Sequence, residues 1–266
     1  MTKMNALILT VAVALLGFHS GAFAADSTSN QGNQSAAPLF PTPNPNPNPV
    51  ADPTQPHQGL SFDVEVPDDL KTEVQNDLAF MNTLQGSGQQ TKMHQQIFGS
   101  VSGDAYKSFF ESRIFSVGIQ SCGLAMAVAC VDPSLDSNKM WITKNFTQFD
   151  HPQIARLMIL YHEARHSENQ HDNWSHDNCP VPFKDDQQQD MKSIWTGALL
   201  EGKPACDSTA FGSYGSSTIL LKNISKYCAN CTEKVKQDAG MFADDQLGRI
   251  DDPAVKASMI SDFNGQ

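Results

Sequence analysis

Residues 150–171, DHPQIARLMILYHEARHSENQH, constrain this chain more than any other stretch. His162 and His166 stand four positions apart, and at about 100° per residue a helix sets them one above the other on one face. Two imidazoles placed that way can share one zinc ion. Glu163 beside them offers a carboxylate able to take a proton from a zinc-bound water. The local sequence predicts the helix: Asp150 as N-cap, Gln153 completing a capping box, and Pro152 in the first turn, where its missing N–H does no harm. Ile154, Leu157, Met158 and Tyr161 form its buried stripe, and the polar run 167–172 ends it. In a chain with 8 histidines, H-E-x-x-H arises by chance on the order of once in a hundred sequences, and less often after a capped amphipathic helix. A metal site is therefore the reading to pursue.

The 266 residues suffice for one domain of ordinary size plus appendages. A net charge of −11, with no basic run, argues against nucleic acid or an anionic membrane surface as partner. Residues 1–24 read as a secretory signal peptide: Lys3, then the apolar run 6–18, too short for a span, then Ala22-Phe23-Ala24 as cleavage site. No later stretch is long and apolar enough to cross a bilayer. The expected location is secreted or periplasmic. Residues 25–59 include PTPNPNPNPVADPTQP, where alternate prolines block helix and sheet alike, and read as a disordered tether. The folded domain then covers 60–266.

All 6 cysteines follow the cleavage site, an even number suited to disulfides in an oxidising compartment. The expected pairs are Cys122–Cys130 and Cys228–Cys231, both local, and Cys179–Cys206 as the long tie.

Pro67-Asp68-Asp69 opens a helix carrying Leu70, Val74, Leu78 and Met81. Another follows Gly103-Asp104, with Tyr106, Phe109 and Phe110. Residues 113–119 read as a strand, and the apolar run 124–131 ends at the turn signal Asp132-Pro133. Residues 140–146, MWITKNF, predict a strand leading into the metal helix, beside which an extended peptide could pair. Residues 172–189 form a long polar loop, 191–200 a short helix and 207–227 a second long helix. Gly212 and Gly215 in that helix mark a close backbone approach. A last weak helix is expected at 255–260. The fold class that results is α+β and helix-rich: a small sheet on the metal helix, a second long helix across from it, and disulfide staples.

A catalytic zinc takes three protein ligands and keeps one position open. The candidates for the third are Asp207, favoured, then His176, then His171 or Glu201. A Cys179–Cys206 bond would draw both His176 and Asp207 toward one place. Tyr214 or His176 could donate a hydrogen bond to an oxyanion, and Arg165 reads as a structural ion-pair partner.

His162-Glu163-x-x-His166 resembles the signature of zincin-type metallopeptidases. Asp207 with Tyr214-Gly215 is similar to the aspzincin arrangement, in which the third ligand is an Asp followed by Tyr-Gly. The longer set, HEARH, HDNCP, Cys206-Asp207 and GSYG, resembles a group of exported bacterial proteins. The resemblance implies a zincin-like fold, a Zn2+ cofactor, a peptide or protein substrate, Glu163 as general base and Tyr214 as its catalytic companion. The competing readings are a non-catalytic metal-binding or cell-envelope interaction protein, and a zinc amidase acting on cell-wall amides. A pure binding module has no need of the Glu163 carboxylate.

Overall fold

The computed structural model describes residues 59–148 and 150–265. The expected leader, 1–24, and the tether up to residue 58 lie outside the described residues. Element order follows the apolar spacing for most of the chain. β1 (Ser61–Phe62) leads to α1 (Asp68–Asn82), α2 (Lys92–Phe98) and α3 (Gly103–Glu111). β2 (Ser116–Ile119), β3 (Ala129–Asp132), α4 (Pro133–Asp136), β4 (Ser137–Ile142) and α5 (Lys144–Thr147) follow. The helix carrying H-E-x-x-H is α6 (Gln153–His166), and after it come the short strands β5 (Asp177–Asn178) and β6 (Pro204–Cys206). α7 (Ser213–Tyr227), α8 (Glu233–Gly248) and α9 (Pro253–Phe263) close the chain. The fold is α+β and helix-rich, as expected.

Four strands make one mixed sheet in the order β1-β2-β4-β3, with β3 antiparallel to β4 and the other pairs parallel. α6 packs against β3 and β4, against α1, and against α7 and α8. It can touch so many partners because it is apolar on nearly every side: Ile154, Leu157, Met158, Ile159, Leu160 and Tyr161 are all buried. Burying such side chains is worth about 1.5–3 kcal/mol each, so α6 is fixed by the core on several faces. That fixity carries over to its last turn, where the two histidines stand.

The start of α6 differs from expectation. Pro152 is the N-cap, and Asp150 makes no capping bond. The first turn is held from outside, by Arg156 bridging the His151 carbonyl and the fully buried Asp77 of α1. β4 ends at Ile142 because Thr143 turns to cap α5. It also lies between β2 and β3, so the edge open to an added strand belongs to β3, not to β4. Residues 191–200 form no helix. Ser193 N–H bonds the Ala198 carbonyl at 2.8 Å, Gly197 turns at φ +69°, and Lys192 bridges Leu199. The second long helix starts at Ser213 rather than 207, after an extended stretch through Cys206.

The three disulfides are Cys122–Cys130, Cys179–Cys206 and Cys228–Cys231, as expected. Cys179–Cys206 clamps the β5–β6 ladder, in which Asp177 pairs with Cys206. No helix among the described residues is long and apolar enough to cross a membrane.

Candidate metal centre

One turn of α6 aligns His162 and His166, and the loop after it returns His176 to face them. The three Nε2 atoms form a triangle: His162 to His176 3.1 Å, His166 to His176 3.1 Å, and His162 to His166 3.4 Å. The protons of two of these rings are committed on the far side. His166 Nδ1 donates to the Asn173 carbonyl at 2.9 Å, and His176 Nδ1 donates to Asp207 Oδ1 at 2.8 Å. Neutral rings bonded that way carry bare lone pairs on Nε2. Burial drives His166 down to about 3, and burial first, then His176 and His166, drives His162 well below the ordinary range. His162 and His166 are thus neutral, and the three ring nitrogens converge on one point.

Converging lone pairs repel unless a cation lies among them. A tetrahedral zinc bonded to imidazole nitrogens at 2.0–2.1 Å separates those nitrogens by about 3.4 Å, close to the spacing of the triangle. The group His162, His166 and His176 can hold a metal ion.

The expected ligand Asp207 stands one step back. Its Oδ1 orients His176, and its Oδ2 accepts the Tyr214 N–H at 2.8 Å, capping the first turn of α7. The segment 207–212 doubles back tightly to do this. A Cβ on Gly212 would lie 2.4 Å from Asp207 Oδ2, and one on Gly215 2.2 Å from the Ala210 carbonyl. The close approach marked by these glycines is therefore to the chain just before them. His171 is exposed, with its ring stacked on Trp174 at 4.4 Å. Glu201 lies in a turn ahead of β6, close to Lys184. Neither lines the cavity described next.

A cavity of about 620 Å³ opens over the triangle, lined by His162, Glu163, His166, His176, Tyr214 and Arg249 and walled by the apolar residues of 124–131. Glu163 is 6% exposed, and its Oε2 accepts the Val131 N–H of β3 at 3.1 Å. Burial pushes its carboxyl up to about 8, against the pull of that N–H. Tyr214 stacks on His176 with ring centroids 4.5 Å apart and lies 4.6 Å from His162. Its hydroxyl accepts a bond from Arg249 Nη1 at 3.0 Å. Burial raises its pKa, partly offset by that guanidinium.

Arg165 points away from the triangle. It pairs with Glu168 and donates to the Phe211 carbonyl at 2.9 Å, tying α6 to the approach to α7. Arg249, Glu168 and Asn173 also serve the site, and nothing in their sequence spacing marks them. Each acts through a fold contact rather than through a motif.

No protein-family model, no curated protein and no solved structure matches this chain.

Proposed function

We propose that the chain is an exported zinc-dependent hydrolase of zincin type that cleaves peptide bonds. The observation carrying this reading is the Nε2 triangle with a buried carboxylate at its flank, inside a cavity large enough for part of a peptide. His162, His166 and His176 would hold the ion. Zinc there would supply Lewis acidity toward a carbonyl oxygen and toward water. A nearby cation also favours the carboxylate form of Glu163, whose pKa burial alone leaves near 8.

The remaining chemistry belongs to the side chains. With Oε2 held by Val131, the other Glu163 oxygen is free to take a proton from water and return it to the leaving nitrogen. Arg249 occupies an acceptor position of the Tyr214 hydroxyl, so the Tyr214 proton is available to an oxygen gaining negative charge. The outer edge of β3 runs beside Glu163, where an extended peptide can add by backbone pairing. Export rests on the signal-like leader and on three disulfides, which fit an oxidising compartment.

The test is cleavage of a diverse peptide library by zinc-loaded mature protein and by Glu163→Gln. The variant should keep its zinc and lose about 10²–10⁴-fold in rate. Equal cleavage by both would sink the reading.

A further inference from the structure

The histidine triangle depends on an unusual piece of backbone. Four successive residues, His171–Trp174, have φ of +56°, +53°, +54° and +54°, and none is glycine. Asp172 and Asn173 have ψ of 40° and 24°, which makes the segment a single turn of left-handed helix. Side chains with a Cβ disfavour that region, Asn and Asp least. Four in a row persist only where their surroundings hold them.

Glu168 does the holding. Its Oε2 accepts Trp174 Nε1–H at 2.8 Å, and its backbone carbonyl accepts Asn173 Nδ2 at 2.9 Å. Its Oε1 is gripped by Arg113, at 2.6 and 3.0 Å, and by Arg165. The Arg165 guanidinium also lies over the Trp174 ring, 4.5 Å from its centroid. Glu168, Arg113 and Arg165 are all buried, so the anchor is shielded from water.

Two consequences reach the metal centre. The turn presents the Asn173 carbonyl to His166 Nδ1, fixing that ring's proton away from the triangle. It also reverses the chain within a few residues, so that His176 arrives opposite α6. A right-handed continuation of α6 would carry the chain onward along the helix axis instead.

We propose that Glu168 and Trp174 are positioning residues for the metal: they hold a left-handed turn that sets the tautomer of His166 and delivers His176 as the third ligand. This rests on the metal reading above. Neither residue belongs to the triangle; both act through His166 and His176.

The test uses the full mature chain, with Zn2+ and Co2+ as probes. Trp174→Phe keeps an aromatic ring beside Arg165 and removes the N–H that Glu168 accepts. It should weaken Zn2+ binding about 10–100-fold, the usual effect of losing an outer partner of a ligating histidine. The visible Co2+ spectrum should lose tetrahedral intensity. Asp172→Gly in that background should recover most of the affinity, because glycine takes positive φ without cost. Asp172 is exposed at the rim of the cavity, and its carboxylate accepts a bond from Ser175. Asp172→Val loses the same carboxylate as Asp172→Gly but puts a β-branched residue at φ +53°; it should bind more weakly than Asp172→Gly alone, and serves if Trp174→Phe folds poorly. Parent-like affinity and spectrum in both Trp174→Phe and Asp172→Val would overturn the proposal while leaving the metal reading standing. So would a loss that Asp172→Gly does not repair. A parent that takes up neither ion overturns both.

Discussion

Replacing Asp207 with asparagine separates a residue that orients a ligand from one that is a ligand. The carboxylate accepts two bonds at once, from His176 Nδ1 and from Tyr214 N–H, both at 2.8 Å. An amide in the same place has one oxygen and one NH2. With its oxygen toward Tyr214, the NH2 meets His176 Nδ1, which must then give up its proton. The proton moves to Nε2, into the triangle, and blocks the metal. With the amide turned over, the helix cap is lost, at about 1–3 kcal/mol for a buried donor left unpaired. The first arrangement leaves the cap intact, so it should prevail. Asp207→Asn should therefore lose about 10–100-fold in zinc affinity, or about 1.4–2.7 kcal/mol. The metal-free protein should melt within a few degrees of the parent. Zinc titration measures the affinity, and 15N NMR of the imidazoles reads the tautomer of His176. Parent-like affinity, or a His176 proton still on Nδ1 with zinc binding weakened, would refute this reasoning.

Two pH effects follow for the metal-free protein. Glu163 has a folded pKa near 8 against the ordinary 4.5, so from about pH 4.5 upward the unfolded state sheds this proton first. Stability should fall up to about pH 8, at most about 1.4 kcal/mol per pH unit, and then level off. The melting advantage of metal-free Glu163→Gln over parent should accordingly grow between pH 5 and 8; a constant advantage contradicts the burial argument. His166 has the opposite sense: its folded pKa is near 3 against 6.5, so the unfolded state gains a proton as pH drops below 6.5. Measured in the Glu163→Gln background, stability should decline by about 2 kcal/mol between pH 7 and 5 from this ring alone; a flat profile there contradicts it.

The parts of the fold legible in the sequence are those set by local spacing. α1 begins at the proline that marks it, α6 carries the buried stripe that its apolar positions predict, and the disulfides join the cysteines expected. α2 is short, and only its Thr91 cap announces it. α8 escapes notice because its buried face, Ala239, Phe242, Ala243 and Gln246, holds one large apolar side chain among small and polar ones, a faint stripe in a polar segment. At the site, His162, Glu163 and His166 were legible because one helical turn places them. The choice between His176 and Asp207 was not. It depends on a left-handed turn at residues without glycine, which local propensity argues against, and on a buried Glu168 whose partners include an arginine 55 positions away. Both candidates were brought together by Cys179–Cys206, and they divide the work: one ring faces the triangle and one carboxylate stands behind it.

The most direct measurement is the metal content of the purified mature chain beside that of His176→Ala. The account requires about one tightly held divalent ion per parent chain and a severe loss in the variant, matching the loss in His162→Ala. A parent free of metal after reconstitution with zinc, or a His176→Ala variant as fully loaded as the parent, would contradict it.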